Sequence, residues 1–301
     1  MDHKINCIEY LNIIKQVFKE LNIIKYEANF GYNGFVLIIN NTDVFKFPFN
    51  LVNAKNILNK EKLVTDSLHG FVNTIIPKME IYTYNNYSFS HYNIIHGTLY
   101  SDLNIKEKQM LEEELSSKIA EFISKMHSVN CSFLRISNNV ICDFLINQNF
   151  EIIIKYLNTE FKIEDFKKTL KYLEDQNISK NNLVLSHNDL NPRNIIVDLE
   201  RATLAGIIDF GNVKVQNYNI EFSIMTQSSN FLFHKVVEKY QNITNKIVDV
   251  KLSLYIEKMR AYGRIGLALN NSNEKIKNFE LKDCNNILIE LYKFQEKNKI
   301  Q

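Results

Sequence analysis

Near the start of the chain Leu11, Ile14, Phe18 and Leu21 recur at helical spacing, which predicts an amphipathic helix. A short alternation of apolar and polar residues follows, then the turn Gly31-Tyr-Asn-Gly34 and the apolar run Phe35 to Ile39, giving strand, turn, strand. Asn40-Asn41-Thr42-Asp43 predicts a second turn. Val44 to Phe47 then makes a third strand, closed by Pro48 because proline has no N–H to donate to a ladder. Leu51 to Leu68 reads as a helix. Two further strands, Met79 to Tyr84 and Tyr87 to Tyr92, are joined by a tight turn at Asn85-Asn86.

From about Asn93 this β-rich pattern gives way to long helical stretches, the first marked by Leu111, Leu115, Ile119, Phe122 and Met126. The change places a boundary between an N-terminal domain, residues 1–96, and a helical C-terminal domain, residues 97–301. Three short strand-like pieces, Leu183 to Leu185, Ile195 to Asp198 and Leu204 to Ile208, surround the polar segment His187 to Asn194. Helices return with Leu252, Tyr255, Ile256 and Met259 on one stripe and Ile287, Leu291 and Phe294 on another. The chain carries no internal repeat and no low-complexity linker.

Composition narrows the class. With 45% hydrophobic and 23% charged residues over 301 positions, the chain can bury a large core and is neither disordered nor collagen-like. Thirty-six Lys and Arg against 34 Asp and Glu leave a net charge of +2, whereas a nucleic-acid binder would carry a stronger basic excess. Cys7, Cys131, Cys142 and Cys284 stand far apart without a C-x-x-C pair, so they read as isolated thiols in a reducing compartment. The N-terminal segment lacks a basic start followed by a continuous apolar stretch, and no run approaches the roughly 18 apolar residues that span a bilayer. A cytoplasmic protein, monomeric and independent of membranes, is expected.

The chemistry concentrates in His187-Asn-Asp189-Leu-Asn-Pro-Arg-Asn194, followed by a strand, a turn and Ile207-Ile-Asp209-Phe-Gly211. This is H-x-D-x-x-x-x-N with D-F-G downstream. In phosphoryl transfer an Asp accepts or orients the proton of the attacking hydroxyl, while an Asn and a second Asp hold magnesium ions that bridge the nucleotide phosphates. Asp189 fits the first role, and Asn194 and Asp209 the metal. Either segment alone would pass for a polar turn or a strand-end cap; their joint order is what points to catalysis. His187 either organises the loop through a buried hydrogen bond or touches substrate.

Such chemistry also needs a loop over the phosphates, a Lys to grip them and an acidic helix residue to orient that Lys. Gly31 and Gly34 lie between strands, where backbone N–H groups can approach phosphate oxygens, although a plain hairpin has the same look. Lys46 lies in the third strand and Glu61 in the next helix, an order that predicts an ion pair.

Taken together, G-Y-N-G, V-F-K, the helix with Glu61, the segment Tyr92-Asn-Ile-Ile-His-Gly97-Thr, Met126-His127, the catalytic loop and I-I-D-F-G resemble the aminoglycoside phosphotransferases, particularly the 2''-phosphotransferase branch. The resemblance covers nearly the whole chain. It implies an α+β, bilobal protein-kinase-like fold, with a β-rich N-terminal nucleotide-binding lobe and a mainly helical C-terminal lobe that forms the acceptor site. It further implies Mg2+ as cofactor, GTP or ATP as phosphoryl donor, and a small, cationic hydroxyl acceptor such as an aminoglycoside modified at its 2''-hydroxyl, with antibiotic resistance as the associated role. Carried onto this sequence, Lys46 grips the α and β phosphates with Glu61 as its partner. The hinge around Asn93 to Ile95 binds the base edge, and Tyr92 stands beside the base pocket.

The sequence departs from the family around the acceptor. Where acidic residues often follow D-F-G, this chain has Asn212, Asn217 and Asn219, and Glu221 is the first carboxylate. Glu221, Glu238 and Glu257 remain as candidates for contacting a cationic substrate, against the plainer reading of helix-surface carboxylates. The same chemistry on another acceptor, a choline-like amine, an amino sugar or a macrolide, is the alternative. A catalytically inactive nucleotide-binding scaffold is the other, but it would need neither a base nor two metal ligands.

Overall fold

The structure, a computed structural model, describes residues 7–31, 34–131, 146–176, 178 and 182–300. Cys142 and the centre of the glycine turn, residues 32–33, lie outside the described residues. The chain divides into two compact units: residues 1–97 with 205–211, and residues 98–204 with 212–301.

The first unit opens with helix α1 (Cys7–Val17) and strands β1 (Tyr26–Phe30), β2 (Gly34–Ile39) and β3 (Asp43–Pro48), followed by helix α2 (Ala54–Leu68) and strands β4 (Glu80–Tyr84) and β5 (Tyr87–Asn93). The strands form one antiparallel sheet in the order β1-β2-β3-β5-β4. Asn40 and Asn41 take left-handed φ of 53° and 58° in the β2–β3 turn, and Asn85 takes 50° between β4 and β5. Asparagine tolerates that region better than other residues with a Cβ, so these tight hairpins follow from local sequence. Alternation along the strands sends Phe35, Leu37, Ile39, Phe45, Phe47 and Phe89 into one core with Ile13 and Ile14 of α1. Phe45 and Phe47 face α1, so the intervening Lys46 points to the opposite face.

In the second unit the two-residue strand β6 (Thr98–Leu99) precedes the long helix α3 (Ile105–Ser128), which starts at a capping box between Asn104 and Glu107. Helices α4 (Ile146–Tyr156) and α5 (Glu160–Asp175) lead to strands β7 (Leu183–Ser186), β8 (Ile195–Asp198), β9 (Thr203–Ile207) and β10 (Lys214–Asn217). Helices α6 (Glu221–Met225), α7 (Asn230–Thr244), α8 (Val250–Leu269) and α9 (Glu274–Lys297) complete it. Strand β10 runs antiparallel to β7, and β6 pairs with β8. Hydropathy misses β10 because its buried positions include Gln216 and Asn217, polar side chains satisfied by hydrogen bonds. Helix α8 is buried on nearly every side and packs against α4, α5, α6 and α9. Strand β9 carries the chain back into the first unit, to which its last residues and Asp209 to Gly211 belong.

Candidate active site

Within the first unit Lys46 sits on β3 opposite Val36 of β2 and Ser90 of β5, near the middle of the sheet. Its Nζ donates to both carboxylate oxygens of Glu61 on α2 at 2.9 Å and to Oδ1 of Asp209 at 2.8 Å. The Glu61 side chain is 4% exposed, that of Asp209 43%. Burial alone would lower the Lys46 pKa, but the charges of Glu61 and then Asp209 outweigh it and hold the ammonium above its ordinary range. Asp209 has φ 64°, and a Cβ at Gly211 would stand in ordinary van der Waals contact with its Oδ1 at 3.4 Å and with Lys46 Nζ at 3.5 Å, so position 211 adjoins the charge cluster.

Tyr92 is half-buried on β5, opposite Val44. Burial raises its phenol well above the ordinary range; Lys46 opposes that rise, while Glu61 and Asp209 add to it, which places the ring in the field of the same cluster. In the hinge, Ile94 N–H already donates to the Thr42 carbonyl at 2.8 Å. Asn93, exposed, and Ile95, half-buried, flank it. At the glycine turn, Gly31 N–H donates to the Gly34 carbonyl at 2.8 Å, and a Cβ on Gly34 would lie 2.4 Å from the Phe47 carbonyl oxygen. Close approach of β3 therefore accounts for glycine at position 34. Gly206, which sequence reasoning passed over, is packed the same way: its Cβ would meet the Ile75 carbonyl and the Ile95 side chain at 2.8 Å.

In the second unit Asp189, in the loop after β7, is held by both carboxylate oxygens. Oδ1 accepts from Asn191 Nδ2 at 2.8 Å and Oδ2 from Asn212 Nδ2 at 3.1 Å. Asn194 Nδ2 donates to the Asp189 carbonyl at 2.8 Å, and Asn191 Oδ1 caps the single turn Pro192–Asn194 through the Arg193 N–H. The motif showed Asp189 and Asn194; the contribution of Asn191 was legible as an N-cap before proline. Asn212 stands where the resemblance leads one to expect acid. A carboxylate in the same place would set like charge against Asp189, whereas the amide donates to it.

His187 is fully buried, and its backbone N–H donates to Glu221 Oε2 at 2.6 Å. Ser186 Oγ donates to the same oxygen at 2.6 Å, and His127 Nε2 of α3 lies 3.7 Å from it. Burial would raise the Glu221 carboxyl, but His127, His187 and Ser186 together hold it below the usual range. At 1% exposure Glu221 turns Oε2 to Ser186 and His187 inside this cluster, away from solvent. Glu257 is likewise buried at 3% and accepts from Gln227 Nε2 at 2.7 Å. Glu238 lies exposed on α7, ion-paired with Lys235 at 3.1 Å. Asn217 and Asn219 are engaged with backbone: Asn217 Oδ1 accepts from Asn219 N–H, and Asn219 Oδ1 from Asp249 N–H ahead of α8. Cys7, Cys131 and Cys284 are free thiols, and burial pushes Cys284 up to about 12. Among the described residues no three His, Cys, Asp or Glu side chains gather as a metal centre, and no helix is long and apolar enough to cross a membrane.

A search of the curated proteins returns no match. Solved structures share the fold at low identity. Aminoglycoside 2''-phosphotransferase IIIa, in complex with GDP and kanamycin, superposes with a TM-score of 0.78 at 18% identity over 94% of this chain and 99% of the other. The streptomycin–ATP complex of APH(2'')-IIa gives 0.63 at 18% identity over 93% and 96%. The macrolide 2'-phosphotransferase MphH from Brachybacterium faecium gives 0.65 at 12% identity over 90% and 96%. At these identities the likeness is one of fold, the α and β arrangement of the kinase-like phosphotransferases. The profile of the APH family, described as a phosphotransferase enzyme family, matches residues 85–239. That stretch takes in just over half of the 301 residues, the catalytic loop and Asp209 among them, and the chain belongs to this phosphotransferase family.

Proposed function

We propose that the protein transfers the γ-phosphoryl group of GTP or ATP to a hydroxyl of a small molecule, with an aminoglycoside 2''-hydroxyl as the acceptor. The observation that carries the donor half is the cluster of Lys46, Glu61 and Asp209, residues far apart in sequence whose charges meet within 2.9 Å. Glu61 fixes the ammonium so that its charge is presented to phosphates without reorganisation. The backbone of Asn93 and Ile95 binds the base edge, since the Ile94 N–H is already bonded, and Gly31 and Gly34 line the phosphate approach.

Asp189 accepts the proton of the attacking hydroxyl, and Asn191 and Asn212 hold its two oxygens in place, so the carboxylate is oriented before substrate arrives. The fit to Mg2+ rests on donor chemistry. Asn194, whose amide nitrogen is bonded to the Asp189 carbonyl, presents Oδ1, and Asp209 is a half-exposed carboxylate; both are the hard oxygens that Mg2+ takes alongside phosphate. When bound, the ion neutralises charge on the phosphates.

A second reading of the acceptor has its own support. Asn212 replaces an acid beside Asp189, and Glu221 and Glu257 are buried and engaged, so this face offers a polycation less than the usual carboxylate complement. An acceptor of lower charge, of the macrolide kind, fits that surface. Phosphate transfer from each nucleotide to a panel of aminoglycosides, macrolides and small amino alcohols tests both readings, with Asp189→Ala as control. The control is expected to lose about two to four decades of kcat with nucleotide affinity little changed. Transfer to no member of the panel, or undiminished turnover by Asp189→Ala, refutes the proposal.

A further inference from the structure

The side chain of the residue immediately before Asp189 is anchored from outside the catalytic loop. Asn188 has a left-handed φ of 63°. Its Oδ1 accepts from Gln216 Nε2 of β10 at 2.9 Å and from the Arg260 guanidinium of α8, and its Nδ2 donates to the Asn212 carbonyl at 3.2 Å. Three separate elements of the second unit thus converge on one amide. Each anchor is itself fixed. Gln216 also donates to Ser186 Oγ at 2.9 Å, which in turn donates to Glu221. Arg260, whose side chain is 15% exposed, has Nη1 3.5 Å from Glu257 Oε2. Asn212 closes the ring, because its carbonyl accepts from Asn188 while its side chain donates to Asp189.

Neither Arg260 nor Gln216 belongs to the phosphotransfer motif, and both reach the catalytic loop at Asn188. A left-handed backbone needs only Gly or Asn at position 188; it does not need a guanidinium brought to it from α8. We propose that Arg260 and Gln216 are positioning residues which, through Asn188, set the backbone angle from which the Asp189 carboxylate is presented. The inference rests on the reading of Asp189 as the proton acceptor. Arginine suits the task because its planar fork can hold the Asn188 oxygen and Glu257 together, whereas a lysine presents a single flexible ammonium. The link also runs from α8, the buried helix at the centre of this unit, so a shift of α8 would reach the catalytic loop through one side chain.

Two variants separate positioning from mere stability. Asn188→Gly keeps the left-handed φ available and deletes the anchor; Arg260→Lys keeps the charge and loses the fork. The readouts are amide hydrogen exchange over residues 187–191 in the full chain, and kcat with KM for nucleotide. Both variants are expected to speed exchange in the loop by about tenfold or more while the thermal midpoint moves little. They should lower kcat by about 10- to 100-fold, the cost of a base displaced by about an ångström, with the nucleotide KM moving by less than about threefold. The double variant should lose no more than the worse single, since both act through one contact. Unchanged loop exchange in both variants overturns the proposal, as does full additivity of the two losses, or faster exchange with kcat intact. Should the parent transfer phosphate to no acceptor, the functional reading fails by itself, and the exchange measurement alone then supports or overturns the clamp.

Discussion

Removing Lys46 should cost more stability than removing its partner, and removing both should cost less than the two losses combined. At the 2.9 Å separation of Lys46 and Glu61, an effective dielectric of about 20 gives an attraction of about 5–6 kcal/mol before desolvation of the two ions is set against it. The asymmetry comes from what each change leaves behind. Lys46→Met takes the ammonium from beside a Glu61 carboxylate that is 4% exposed, and breaking a buried pair in this way costs about 3–5 kcal/mol. Glu61→Gln leaves Lys46 with Asp209, a partner 43% exposed and partly screened by water, and should cost about 1–2 kcal/mol. In the double variant both members of the buried pair are neutral, so about 1–3 kcal/mol of the summed losses should return. Urea unfolding followed by far-UV circular dichroism, with m-values compared across the four proteins, measures this directly. Losses additive within about 0.5 kcal/mol at constant m would show that Lys46 and Glu61 do not act as a unit, and the phosphate-gripping role would lose its physical basis.

On the placement that the family resemblance implies for Tyr92, beside the base pocket, its ring should exclude adenine from a deep seat at the hinge and make GTP a better donor than ATP; each base edge left unpaired costs about 1–3 kcal/mol. A preference for ATP, or a kcat/KM ratio unchanged in Tyr92→Ala, contradicts this. Glu221, held below its usual pKa of 4.5, contributes stability that is present above that value and lost as pH falls through the lower folded value. The difference in thermal midpoint between the parent and Glu221→Gln should therefore shrink on acidification below about pH 4.5; a constant difference from pH 7 to 3 would count against it. Gly34→Ala should destabilise the sheet by roughly 1–3 kcal/mol, because its Cβ would stand 2.4 Å from the Phe47 carbonyl oxygen. A neutral result in urea unfolding would mean that β2 and β3 separate there at no cost.

The strands of the first unit, their asparagine turns and the long helices were legible in sequence because local rules produce them: period-2 alternation, residues that accept left-handed φ, and apolar stripes at helical spacing. The catalytic loop was legible for a different reason. Asp189 and Asn194 are five residues apart and share one turn, so their spacing carries the chemistry. What the sequence left open depended on distance along the chain. Residues 205–211 belong to the first unit, which brings Asp209 to Lys46 across 163 positions. Strand β10 was hidden because Gln216 and Asn217 are polar yet buried, a combination stable only once partners from β7 and the loop are in place. Glu221, a candidate for substrate contact in the sequence, is a buried acceptor for Ser186 and His187. Hydropathy records what a residue prefers in water; whether a polar side chain lies inside is decided by the donors and acceptors that the fold brings to it.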